Sequence, residues 1–277
     1  MKKIIIFVAA LALLTSCSNN EYNGEKNSNS INIKNESQTA PLANNTDYYS
    51  LNNDKKGWGQ GYNVNDKNQP LCSIDYNNVY GKYDGIFMGS KSKTMYLTFD
   101  EGYENGYTSQ ILDTLKEKKV SALFFVTYDY VNRNDALIKR MINEGHVIGN
   151  HSWSHPSMPD ISVEDCRNEI TKLHDYMLEN YNYKMTYIRP PRGEFSERTL
   201  AITQDLGYKT IFWSFAYLDY DVNNQPDATS AFNRITEASH DGAIYLLHAV
   251  SKTNTEILGK VIDKWKTDGY SIAKFDI

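Results

Sequence analysis

A basic excess is what this chain most clearly lacks: 29 Lys and Arg stand against 34 Asp and Glu, a formal charge of -5. Nucleic-acid binders usually show a basic patch or stripe, so that class is set aside first. Long apolar runs are missing too. The one at the N-terminus, residues 4–14, is shorter than the roughly 20 residues a membrane span needs. Cysteine is scarce, at three residues. No metal or nucleophile motif surrounds Cys72 or Cys166, and free thiols are expected in preference to a bridge between them. Internal repeats are absent from the sequence. What remains is a chain with 40% hydrophobic and 13% aromatic residues, enough for a sizeable core. Its length exceeds the usual domain of about 100–200 residues, which allows one large domain or two small ones. The 21 tyrosines read first as half-buried strand residues and only second as sugar-stacking surface.

The chain opens with Met1-Lys2-Lys3 and a short apolar stretch, the pattern of a secretory signal. Leu14-Thr15-Ser16-Cys17 comes next and resembles a bacterial lipobox. Residues 1–17 are therefore expected to be a lipoprotein signal, cut before Cys17, whose thiol becomes the lipid anchor. An ordinary signal peptide with a chance cysteine is the alternative. The protein is expected outside the cytoplasm, on the outer face of the bacterial plasma membrane. Residues 18–56 are rich in Asn, Ser, Glu and Lys and lack apolar periodicity, so they read as a disordered tether. Residues 57–92 regain aromatics (Trp58, Tyr62, Tyr76, Tyr80) and read as an ordered, irregular extension packed on the domain that begins at residue 93.

From residue 93 to 277, short apolar runs alternate with amphipathic ones. Strands are expected at 94–99, 122–127, 146–149, 186–188, 210–213, 243–247 and 271–275. Helices are expected between them, one capped by Thr108, one opened by Ser162-Val163-Glu164-Asp165, and one over 256–268. Such alternation implies an α/β chain with a largely parallel sheet, closed into a barrel, with an open doubly wound sheet as the alternative.

Polar residues collect at the C-terminal ends of these strands, the edge where parallel sheets build their sites. Asp100 and Glu101 end the first, within Leu-Thr-Phe-Asp-Glu-Gly-Tyr-Glu-Asn-Gly at 97–106. His151 and His155 come after the third, four residues apart, a spacing at which two imidazoles on a tight turn can face one metal. Arg189-Pro190-Pro191-Arg192-Gly193 comes after the fourth. Its prolines fix the path and its glycine permits a positive φ, so the loop can aim a backbone N–H. Asp219 comes shortly after Trp213, and His248 ends the sixth strand.

In order, Thr98–Gly102, His151-Ser152-x-x-His155, Arg189–Gly193, the Trp213 to Tyr220 segment and Leu246-Leu247-His248 resemble the five motifs of the NodB-homology polysaccharide deacetylases, carbohydrate esterase family four. The resemblance runs from about residue 94 to 277 and implies a distorted (β/α) barrel of the NodB-homology type. It implies that Asp100 is the catalytic base, braced by Arg189, and that His248 is the catalytic acid, tuned by Asp219. It implies a divalent metal, zinc by preference, on His151 and His155. Glu101 stands where most members have a metal-binding Asp; one methylene longer, it either reaches the metal or points away. The Arg192 N–H matches the oxyanion donor, with Tyr103, Trp213 and Tyr220 as further substrate contacts and Tyr220 where a Trp is usual.

A narrower resemblance rests on Gly102-Tyr103-Glu104-Asn105-Gly106-Tyr107-Thr108, on the Trp58-Gly59 extension, and on Leu247-His248-Ala249-Val250-Ser251. It is to the delta-lactam-forming de-N-acetylases of spore peptidoglycan. It implies hydrolysis of the N-acetyl group of N-acetylmuramic acid in glycan strands after an amidase has removed the stem peptide. Muramic δ-lactam in the spore cortex would be the outcome, with the protein at the forespore. Two alternatives stand beside it: an N-acetylglucosamine deacetylase acting on peptidoglycan or another polymer, and a catalytically silent glycan-binding lipoprotein.

Overall fold

A computed structural model describes residues 46–277. The expected signal segment, the Cys17 anchor and residues 18–45 of the expected tether lie outside the described residues. Strand β1 is Lys56–Gly57, followed by helix α1 (Leu71–Tyr80) and β2 (Gly85–Ile86). The alternating region then runs β3 (Thr94–Glu101), α2 (Thr108–Lys118), β4 (Leu123–Val126), α3 (Tyr128–Arg133), α4 (Asp135–Asn143) and β5 (Val147–Asn150). It continues with α5 (Val163–Tyr181), β6 (Tyr187–Ile188), β7 (Glu194–Phe195), α6 (Glu197–Asp205) and β8 (Lys209–Ile211). The chain ends with α7 (Ala228–Glu237), β9 (Ala243–His248), α8 (Lys252–Thr267) and β10 (Ser271–Ile272).

The main sheet has eight strands, every pair parallel, in the order β10-β3-β4-β5-β6-β8-β2, with β9 also on β3. Beyond β8, Ser214 N–H donates to the Ile244 carbonyl and Leu246 N–H to that of Phe215, which brings the strand back onto β9. The sheet thus curls round into the expected distorted barrel.

Period-two alternation sorts β3 between two cores. Met95, Leu97 and Phe99 pack with Ile111, Leu112 and Leu115 of α2 on the helix side. Tyr96 packs with Leu123, Phe125, Phe212 and Ile244 inside the curl. Both sides of β3 are buried, as parallel strands covered by helices require. The helices that cover the sheet contribute an apolar stripe, α1 excepted; α8 buries Ile257, Leu258, Val261, Ile262 and Trp265. Ser162 caps α5 by accepting from Asp165 N–H at 3.0 Å.

Several expectations need correction. Residues 46–56, expected within the tether, lie on the barrel. Arg198 Nε donates to the Tyr48 carbonyl at 2.9 Å, and Lys55 pairs with Asp160 at 2.6 Å. The extension contains a helix, α1, and contributes β2 to the main sheet through Gly85 and Ile86 beside Thr210 and Ile211. Thr108 is the first residue of α2, not its cap. Glu104 takes that part, accepting from Thr108 N–H at 3.4 Å and from the Thr108 hydroxyl. Helix α8 starts at Lys252, capped by Ser251, four residues before the expected start. Cys166 is a buried free thiol, as expected, with burial pushing it up to about 12, whereas Cys72, also expected free, is disulfide-bonded.

His146, just before β5, is buried and accepts from Ala122 N–H at 3.2 Å, while its Nε2 makes no hydrogen bond and lies 4.0 Å from Glu144 Oε2. Burial pushes its pKa down from 6.5 to about 4. The unfolded chain therefore takes up a proton first, so stability is full above about pH 6.5 and declines as pH falls toward 4. The expected loss is at most about 3 kcal/mol. Urea melts between pH 7 and 4 check this; His146→Gln should flatten that slope.

Candidate active site

Asp100 and His248 occupy directly opposed positions on the neighbouring strands β3 and β9. Asp100 shares the inward parity of Tyr96 and Thr98. Its Oδ1 accepts from Arg189 Nη1 at 2.7 Å. Arg189, at the end of β6, is fully buried. Its Nη1 also donates to Thr98 Oγ1 at 2.9 Å, its Nε to the Ile211 carbonyl at 3.1 Å, and its Nη2 to the Phe212 carbonyl at 2.9 Å. The guanidinium lies 4.3 Å from the Phe125 ring centre. Burial alone would raise the Asp100 carboxyl, but the Arg189 charge first, with His248, outweighs it and holds the pKa below the ordinary carboxylate value.

His248 is held from the other side. Its Nδ1–H donates to Asp219 Oδ1 at 2.7 Å, and its backbone N–H to Asp219 Oδ2 at 2.8 Å. Burial would lower its pKa, but Asp219 and then Asp100 raise it above 6.5. About a quarter of the His248 side chain stays open, so Nε2 can meet a substrate. Asp219 is itself fully buried and takes a third bond, from Asn254 Nδ2 at 2.6 Å. Asn254 accepts in turn from the Tyr217 hydroxyl. A carboxylate held toward its ionised form and an imidazole whose proton is held more tightly than usual therefore sit on adjacent strands at one sheet edge, the arrangement a paired general base and general acid require.

His151 and His155 sit on a tight loop, not a helix. Ser152 (φ 69) and His155 (φ 61) are both left-handed. Asn150 Oδ1 accepts from Ser152 N–H at 2.8 Å, and Ser152 Oγ from His155 N–H at 2.9 Å. Glu169 of α5 anchors the turn, taking Ser154 N–H and hydroxyl, both at 2.7 Å. The two imidazole rings come to 4.9 Å. His151 Nδ1–H donates to the Arg189 carbonyl at 2.8 Å, which fixes the tautomer and leaves Nε2 as a lone-pair donor 3.7 Å from Asp100 Oδ2. Burial pushes His155 down to about 3, so it too is neutral. The donor chemistry of these two side chains fits a divalent metal.

Glu101 does not join them. It shares the parity of Leu97 and Phe99 and faces the helices, with Glu104 and Asp100 as its charged neighbours and Tyr130 sensing its charge. Both its oxygens are buried without a partner. Burial, then Glu104 and Asp100, push its pKa well above 4.5. Among the described residues no group of three or more His, Cys, Asp or Glu is arranged around a metal position. Of the two alternatives open for Glu101, this structure has the second: strand alternation turns it to the opposite face from Asp100.

The loop after β6 has Arg192 at φ 61 and Gly193 at φ 67, two left-handed residues in succession. A side chain at 193 would place its Cβ 2.7 Å from the Trp213 ring, so glycine is required there. Trp213 is nearly buried, Tyr220 lies with its ring centre 5.4 Å from that of His248, and Tyr103 is half exposed. Sequence reasoning placed these residues at one sheet edge but missed Asn254, Tyr217 and Glu169. Only Ser251, a cap three residues before Asn254, carried a signal.

The sequence model of the family described as polysaccharide deacetylase matches residues 88–211. The peptidoglycan-N-acetylmuramic acid deacetylase PdaA of Bacillus subtilis is 42% identical over 231 residues, 81% of this chain and 86% of that protein. Its solved structure, a family 4 carbohydrate esterase, superposes with a TM-score of 0.76 over 80% of this chain and 95% of that one, at 41% identity. An uncharacterized 30.6 kDa protein of Geobacillus stearothermophilus is 46% identical over 78% of this chain and 83% of its own length. The peptidoglycan-N-acetylglucosamine deacetylase PgdA of Listeria monocytogenes is 34% identical over 67% of this chain, though over only 38% of its own length. With the curled parallel barrel and the Asp100–Arg189 and His248–Asp219 pairs, these likenesses place the chain in the polysaccharide deacetylase family.

Proposed function

We propose that this chain hydrolyses the N-acetyl group of N-acetylmuramic acid in peptidoglycan. The observation that carries the chemistry is the opposed pair: Asp100 clamped by Arg189, and His248 clamped by Asp219. Likeness to PdaA of Bacillus subtilis supports the choice of sugar.

Asp100, ionised, takes a proton from the attacking water, whose oxygen bonds to the acetyl carbon. The Arg192 backbone N–H donates to the oxyanion that develops. His248, protonated, gives a proton from Nε2 to the sugar nitrogen as the C–N bond breaks, releasing acetate and the free amine. Asp219 holds the His248 ring in the orientation this transfer needs. A divalent ion such as zinc, bound by His151 and His155, would supply Lewis acidity toward the acetyl carbonyl and the water. Tyr103, Trp213 and Tyr220 serve as substrate contacts in this reading, Tyr220 with its ring centre 5.4 Å from that of His248.

In the same reading, an amidase first exposes the lactyl carboxylate, and the new amine closes on it with loss of water as muramic δ-lactam. The lipid anchor at Cys17 would hold the protein on the outer face of the membrane around the forespore. The Listeria relative favours N-acetylglucosamine as the second reading. The intact acid and base speak against a silent binding protein, which needs neither.

The test is acetate release by the purified protein from peptidoglycan with and without stem peptides, and from N-acetylglucosamine polymers. Acetate from peptide-free strands, with muramic acid newly deacetylated, is expected. Release confined to N-acetylglucosamine would replace the substrate, and glycan binding without any release would leave the silent protein.

A further inference from the structure

We infer that residues 57–60, which precede the stretch matched by the family model, belong to the active site, with Trp58 and Gln60 as positioning residues for the oxyanion loop. This rests on the deacetylase reading above.

The loop that carries Arg192 is strained, and a strained backbone persists only where its surroundings over-determine it. Part of the constraint is internal: Gly193 N–H donates to the Pro190 carbonyl at 3.1 Å, and Glu194 N–H to that of Pro191. The rest comes from the extension. Strand β1 pairs antiparallel with β7, Lys56 opposite Phe195 and Gly57 opposite Glu194, immediately after the loop. Trp58 N–H then donates to the Gly193 carbonyl at 2.9 Å. The carbonyls of Pro190, Pro191 and Gly193 are therefore all taken, while the Arg192 N–H has no bond within the described protein.

Side chains complete the clamp. Trp58 Nε1–H donates to the Trp213 carbonyl at 2.9 Å, and Trp213 Nε1–H donates to Gln60 Oε1 at 3.0 Å. Gln60 Nε2 donates to the Ala216 carbonyl at 3.1 Å. Trp213 is the ring against which Gly193 is seated, and it lies 5.6 Å from the Arg189 guanidinium. The extension thus grips both the loop and the segment that leads to Asp219. Covering a core needs none of these hydrogen bonds: the Trp58 ring already packs on Phe87 and Tyr76. Two indole N–H groups and an amide, each given a carbonyl or amide partner, fix geometry.

Gln60→Ala and Trp58→Phe separate positioning from packing. Each is expected to lower kcat about tenfold, a misplacement effect, with KM held within about twofold. The melting temperature should stay within about 3 °C. Gln60→Glu, which keeps the acceptor for Trp213, should recover part of the loss. Amide hydrogen exchange at residues 192–195 should quicken in both damaging variants. Turnover within twofold of the parent in both, or a loss that tracks melting alone, would overturn the inference. A parent protein that releases no acetate from any glycan would sink the proposed function; exchange at 192–195 would still decide the clamp, unchanged rates refuting it and faster rates upholding it.

Discussion

Asp100→Asn is expected to lower kcat/KM by about 10³-fold, within the range for a general base. The amide cannot take the water proton, yet its oxygen can still accept from Arg189. Arg189 keeps three further acceptors in Thr98, Ile211 and Phe212, so the fold should survive. Stability should still fall, by less than the roughly 3–5 kcal/mol that leaving a buried charge wholly unpaired costs. Acetate release measured beside circular dichroism checks both halves. Near-parental turnover would remove Asp100 from the role of base.

Glu101→Met is expected to raise stability at pH 7 by about 2–4 kcal/mol, an effect of opposite sign to most core substitutions. Two buried oxygens without partners are removed and similar volume is kept. The sign comes from linkage. The folded pKa lies above the unfolded one, so the folded chain holds the proton more tightly and stability declines as pH rises above about 4.5. The benefit of Met should therefore grow between pH 5 and 8 and shrink at lower pH, which urea melts at several pH values will measure. Zinc affinity and turnover should stay within about twofold. A marked drop in zinc affinity would mean that Glu101 swings to the imidazoles when metal binds.

Asp100, Arg189, Asp219 and His248 were legible because each comes after a readable apolar strand, and the ends of parallel strands share one edge. Glu101 was not, because adjacency in sequence suggests a pair while a strand sends neighbours to opposite faces. The parity of Leu97 and Phe99 already contained the answer. Helix α1 was hidden by a sequence with almost no apolar stripe, and β2 by its two-residue length; tertiary contacts supply what the local pattern lacks. Asn254 was missed because its role depends on a fold-back between the loop after β8 and the start of α8. The packing of residues 46–56 had little apolar signature: Tyr48 rests against the core, and the other anchoring contacts are polar, through the Tyr48 carbonyl, Asn53 and Lys55.

Arg189 reaches from the end of β6 to Thr98 and Asp100 on β3 and to the carbonyls at the end of β8. It is a keystone as much as a catalytic brace, since one buried cation spans the inside of the curl and ties strands that are not neighbours in the sheet. Chemistry and architecture are thereby under different constraints at this one residue. A descendant that gave up hydrolysis could discard His248, whose side chain is partly open, at modest structural cost. It could discard Arg189 only by rebuilding the interior of the barrel.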